Sequence, residues 1–144
     1  MSDGWSVTER RAEDGVFLLR ARTRLPGADE RAAHPLAMWI TWPFEPGSGA
    51  GLDGAPDEST LGAMAAFEAA AYEALDAPGH AVGVAVLTGG AAREWLFYAA
   101  DRDAFMRVLL QALEGHPSYE FEVRAWDDPS WKAARELVPL AMAH

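Results

Sequence analysis

Glu68 is the residue whose position asks for chemistry. Between Glu58 and Leu75 the apolar residues recur at helical spacing. At roughly 100° per residue, Leu61, Met64, Ala71, Tyr72 and Leu75 fall in a narrow arc with Glu68 near its middle. A carboxylate on a packing stripe needs a donor, because a buried charge without a partner is costly. Arg93 and Thr88 are the candidate donors, and three outcomes stand open: a hydrogen bond that fixes the helix, a binding or catalytic carboxylate at the helix–sheet boundary, or an exposed end of the stripe. The second cluster is Asp127-Asp128-Pro129-Ser130-Trp131. Adjacent carboxylates there could hold a hard cation with oxygens from elsewhere, but helix capping by Asp128 explains it without a metal. If Glu68, Arg93 and Asp127 converged on one pocket, the chain would be a small hydrolase or ligand-binding enzyme. His34, His80, His116 and His144 stand singly, without ligand spacing, so no metal site is expected. The chain has no Gly-x-Ser-x-Gly elbow, phosphate-binding loop or dinucleotide fingerprint, and no cofactor or catalytic residue is assigned.

The elements that must position these residues follow from periodicity. Trp5 to Arg10 and Val16 to Leu25 read as a hairpin (5–25) around Glu13-Asp14-Gly15. In its second strand Arg20, Arg22 and Arg24 alternate with apolar residues, a stripe that is either a solvated face or a docking patch for an acidic partner. Leu36 to Phe44 is a strand with Trp39 and Trp42 on opposite faces and Pro43 at its end. Pro46 to Gly54 reads as a mobile loop. Asp57 caps a helix from Glu58 to Leu75 that Pro78-Gly79 stops. His80 to Thr88 and Arg93 to Ala99 form a hairpin about Gly89-Gly90. Asp101 caps a helix from Arg102 to Glu114, Tyr119 to Arg124 is a half-buried strand, and Asp128-Pro129 opens a last helix over 129–140.

From Leu36 the order is strand, helix, strand, strand, helix, strand, which specifies an α+β, ferredoxin-like α/β sandwich (βαββαβ) over 36–126 within a single domain, 1–144. Both long helices then lie on one sheet face. Trp39, Leu96, Tyr98 and Trp126 share the other, with Glu94 and Arg124 beside them. Covered by the hairpin or the last helix, they are core; uncovered, they are an aromatic surface for a protein or small ligand.

Composition narrows the partners. A net charge of -10 repels phosphate backbones and anionic lipid, so neither nucleic acid nor a membrane is an expected partner. No Lys or Arg occurs from Ala32 through Ala92, which makes one surface acidic and suited to a basic patch. With no cysteine the chain needs no oxidising compartment, and with no apolar run of about 20 residues the expected location is the cytoplasm.

Glu68, Thr88-Gly89-Gly90, Arg93-Glu94-Trp95-Leu96-Phe97-Tyr98, Asp101 and Asp127-Asp128-Pro129-Ser130-Trp131 together resemble the bacterial family known as domain of unknown function 695, over nearly the whole chain. That family is similar in layout to the regulator of ribonuclease activity B, a small acidic protein that inhibits by binding its target enzyme. The resemblance implies a non-catalytic, regulatory or protein-binding module, with Glu68, Arg93, Tyr98, Asp127, Asp128 and Trp131 as the binding residues to follow. A homodimer joined through a sheet face or edge is compatible with either function.

Overall fold

The computed structural model describes residues 5–12, 15–44 and 57–142. The turn expected at Glu13-Asp14 and the glycine-rich stretch from Pro46 to Gly54 lie outside them. In chain order the elements are β1 (Trp5–Ala12), β2 (Gly15–Arg22), α1 (Ala28–Ala33), β3 (Leu36–Pro43), α2 (Glu58–Leu75), β4 (Ala81–Gly89), β5 (Ala92–Ala99), α3 (Arg102–Ala112), β6 (Glu122–Asp127) and α4 (Lys132–Met142). The strands form one mixed-connection sheet in the order β1-β2-β4-β5-β3-β6, with every neighbouring pair antiparallel. α2 joins β3 to β4 across β5, and α3 joins β5 to β6 across β3.

Local chemistry sets the helix ends. The Asp57 side chain accepts the Thr60 N–H at 2.7 Å to start α2, and Asp101 accepts the Ala104 N–H at 2.7 Å to start α3. Alanine-rich α2 presents Met64, Phe67, Ala71 and Leu75 to the sheet, and α3 presents Phe105 and Leu109. These meet Met38, Ile40, Trp42, Val86, Trp95 and Phe97 on what we call the front face. Burying each large side chain contributes about 1.5–3 kcal/mol. On the back face Leu19, Ala21, Val84, Ala85, Leu96 and Tyr98 pack beneath Trp131 and Ala134 at the start of α4. Side-chain alternation sends Trp42 forward and Trp39 back, as the strand pattern requires.

Four details differ from the sequence-based expectation. α1, a six-residue helix with no buried side chain, is too short for periodicity to reveal. β6 pairs with β3 over Glu122–Asp127 and not from Tyr119. Tyr119 and Phe121 instead wedge against Phe67, at 6.0 and 5.1 Å between ring centres, so apolar packing took them before the ladder began. The last helix starts at Lys132, not Pro129, because Asp128 to Trp131 forms a turn closed by Trp131 N–H to Asp128 O at 2.9 Å. Finally, the arc on α2 is centred one position away from the expected one. Phe67 is fully buried while Leu61 is 36% exposed, so Glu68 and Tyr72 lie on the flank facing β2 and β4 and not at the centre of the stripe.

Candidate functional site: an open cleft on the front face and a sealed cluster on the back

The pairing of β2 with β4 decides the surroundings of Glu68. Arg20 stands opposite Val86, which stands opposite Trp95, so these three form one cross-strand row beneath α2. Arg20 Nη2 donates to Glu68 Oε2 at 2.6 Å, and the buried Trp95 indole donates Nε1–H to Glu68 Oε1 at 2.9 Å. The expected partners, Arg93 and Thr88, instead bond each other, Arg93 Nε to Thr88 Oγ1 at 2.9 Å. They occupy the next row along the strands, with Leu18 and Trp42, one pleat repeat from the carboxylate. Glu68 is thus a partly exposed carboxylate, 21% accessible, held by one strand cation and one core indole.

A groove runs between α2 and the β1–β2 hairpin, and the Arg20–Glu68 pair spans it. One lobe, of about 390 Å³, is lined by Trp5, Ala65, Ala69, Tyr72 and Asp76 together with that pair. The other, of about 360 Å³, is lined by Val7, Leu18, Ala65, Val86, Thr88 and Arg93 together with the same pair. Arg22 donates to Asp76 at 3.2 Å and its guanidinium lies 5.1 Å from the centre of the Trp5 ring, which fastens the hairpin to the end of α2. Two of the three stripe arginines therefore hold the hairpin to α2 by partly buried ion pairs, while Arg24 is exposed. Asp76 also accepts the Gly83 N–H at 2.8 Å, where β4 bulges between Gly83 and Ala85. Gly83 has to be glycine: a Cβ there would stand 2.3 Å from Tyr72 Cε1. The Tyr72 hydroxyl is buried and has no hydrogen-bond partner among the described residues. Burial, then the negative charge of Glu68, pushes its pKa well above the ordinary tyrosine value.

On the back face, Tyr98, Asp128 and Trp131 form a closed unit. The Trp131 indole stacks on the Tyr98 ring at 4.0 Å and 13°, and its Nε1–H reaches the carbonyls of His34 at 2.8 Å and Arg31 at 3.2 Å, at the end of α1. Trp131 adopts φ 58°, a left-handed conformation costing about 1–3 kcal/mol that complete burial of its indole offsets. Asp128 accepts Tyr98 O–H at 2.7 Å, Lys132 N–H at 3.0 Å and Ala133 N–H at 3.1 Å, so it caps α4 across the turn. Burial alone would raise the Asp128 pKa, but these hydrogen bonds and the Lys132 charge outweigh it and hold the carboxyl below its usual value. Burial, then donation to Asp128, raises the Tyr98 pKa.

The six residues singled out in the sequence thus fall into three places. Glu68 and Arg93 share the second lobe; Tyr98, Asp128 and Trp131 share the sealed unit; Asp127 is exposed at the end of β6, opposite Leu36, and lines neither lobe. A Glu68, Arg93 and Asp127 pocket does not assemble, since β6 is the outermost strand and Asp127 sits at its far end. Among the described residues no three His, Asp or Glu side chains group to hold a metal. Arg20, Trp5 and Tyr72 are the cleft residues that sequence reasoning missed. The visible signal was the arginine stripe on β2. Arg20 and Arg22 are about 7 Å apart along a strand, whereas Glu68 and Asp76 are about 12 Å apart along a helix, so no common spacing linked the two sets.

The aromatic surface divides in two. Leu96 and Tyr98 are buried under α4, but Trp126 is 39% exposed and packs against half-buried Trp39, ring centres 6.3 Å apart. Glu94 Oε2 accepts Trp39 Nε1–H at 2.7 Å and Thr41 O–H at 3.0 Å, which fixes the Trp39 ring.

Among the described residues these features define an α+β fold with a six-stranded antiparallel sheet and four helices, none of which is long and apolar enough to cross a membrane. The chain belongs to the family of unknown function DUF695, whose model matches residues 3–137. Comparisons with curated proteins and with solved structures found no match.

Proposed function

We propose that the protein is a non-catalytic, protein-binding module of the cytoplasm, built on a ferredoxin-like core, and that it receives its partner along β6. The core reading rests on the way α2 and α3 each link two strands that flank a third, as split βαβ halves do. The observation that carries the binding reading is the Trp39–Trp126 pair lying beside an outer strand: no described residue pairs with the outer edge of β6, and Trp126 is 39% exposed. An outer edge supplies backbone donors and acceptors to an added strand, and the tryptophans supply an apolar anchor. Glu94 and Glu122 flank them on the same face beside Arg124, and the chain carries a net charge of -10. The occupant we assign is an extended segment of another protein bearing basic residues, in the manner of an inhibitor that binds its target as the regulator of ribonuclease activity B does.

The test is amide exchange on the protein co-purified with its partner from the source cell. Protection confined to Glu122–Asp127, lost together with the partner in Trp126→Ser, is the expected result. A partner retained by Trp126→Ser with β6 amides unprotected would overturn the assignment, and a dimer by light scattering with β6 protected would make the occupant a second copy of this chain.

A further inference from the structure

Arg93 is a half-buried guanidinium that the described residues leave incomplete. Its Nε–H is taken by Thr88, and no other described side chain or backbone oxygen bonds it. The charged groups that reach it are Glu68 and Arg20, and they are committed to each other: Glu68 Oε2 is taken by Arg20 and Oε1 by Trp95. Burial, only partly offset by Glu68 and reinforced by Arg20, lowers the Arg93 pKa. The two terminal nitrogens of a guanidinium form a planar fork that a carboxylate fills with two parallel hydrogen bonds. Around this fork the lobe is apolar on three sides: Val7 and Leu18 from the hairpin, Val86 from β4, and Ala65 from α2. At about 360 Å³ it has the size of a small-molecule site. Among the described residues that line the lobe, two arginines stand against one glutamate, a balance that suits a single negative charge, and Glu68 opposes a second.

We propose that the lobe bounded by Leu18, Val86, Ala65 and Arg93 binds a small apolar monocarboxylate, whose carboxylate group completes the Arg93 fork while its hydrocarbon body lies against Val7, Leu18 and Val86. This site lies on the front face, away from β6, and stands independently of the protein-binding reading. A carboxylate metabolite or the free C-terminus of a short apolar peptide would present the same chemistry; a titration with both separates them.

The full chain would be titrated calorimetrically with 3-phenylpropanoate, its neutral amide, inorganic phosphate and a free-acid Leu-Phe dipeptide. The propanoate should bind saturably and the amide about ten-fold more weakly, because the charge-assisted fork is lost. Dipeptide binding tighter than the propanoate would assign the source as a peptide terminus, and the reverse a free metabolite; either keeps the site. Arg93→Gln should weaken propanoate binding by about ten-fold or more, with Arg24→Gln unchanged. Should Arg93→Gln fail to fold, Ala65→Leu fills the lobe from the helix without touching a charge and should abolish binding. Equal affinity for acid and amide, tighter binding of phosphate, absence of saturable binding, or full affinity in Ala65→Leu would each overturn the proposal.

Discussion

Asp128 and Glu68 are both acidic side chains set against aromatic donors, yet one is finished and the other is not. Asp128 has three donors within 3.1 Å and the stacked Trp131–Tyr98 pair over it, so nothing remains for a ligand to supply. Glu68 has two donors, one of them Arg20 with a side chain 41% exposed, and beside it stands Arg93, whose fork no described residue fills. Donor saturation and cover, more than residue type, separate a structural carboxylate from one that borders a site. A sealed network rigidifies, whereas an incomplete one leaves free energy to be recovered by binding.

That contrast can be broken, starting with the sealed side. Trp131→Ala should cost about 3–5 kcal/mol in urea unfolding, since a fully buried indole is removed and the left-handed backbone stays; a loss below about 1 kcal/mol would show that the back-face unit is not structural. Asp128→Ala should cost about 2–4 kcal/mol, combining the lost cap with the unpaired Tyr98 hydroxyl. Asp128 also predicts a pH signature. Its pKa falls below 3.8 on folding, so its contribution is present above about pH 4 and is lost as pH drops through the folded value. Thermal melts of Asp128→Asn should therefore lose stability less steeply below pH 4 than those of the native chain.

On the open side, smaller effects sharpen the same contrast. Gly83→Ala should cost about 1–3 kcal/mol, because the Tyr72 ring it would strike is held between Trp5 and Phe97, at 6.2 and 5.0 Å. Glu68→Ala should cost about 1–2 kcal/mol by stranding the Trp95 N–H, and Glu68→Gln, which keeps an acceptor, less than about 1 kcal/mol. If Glu68→Gln were as damaging as Asp128→Ala in chemical denaturation, the two carboxylates would be equivalent and the contrast would fail.

Much of the layout was legible in the chain. Asp57 and Asp101 announced the two long helices because a short acidic side chain before an apolar repeat satisfies free N–H groups, and both caps form. The second hairpin was equally plain, since positive φ favours glycine, but its turn falls one residue later than Gly89-Gly90: Gly89 pairs with Ala92, and the turn residues are Gly90 at φ 61° and Ala91 at φ 66°. Trp131 was named but its role was hidden: its partners, Tyr98 and the carbonyls of Arg31 and His34, lie 33 or more positions away, and a left-handed tryptophan breaks local preference. The pairing of Glu68 is hidden for a related reason: nothing local to the hairpin that carries Arg20 specifies that β2 lies beside β4.

Local spacing and residue type were enough to place the two long helices, the hairpins and β3, and to give the acidic net charge and membership in its family, but not the short α1, the start of β6 or the exact centre of the α2 stripe. Tertiary structure alone decided which carboxylate is sealed and which borders a cleft, and that Asp127 stands apart from both. Those outcomes depend on the order of strands across the sheet, which sets contacts between residues far apart in the chain, and local propensity holds no information about that order.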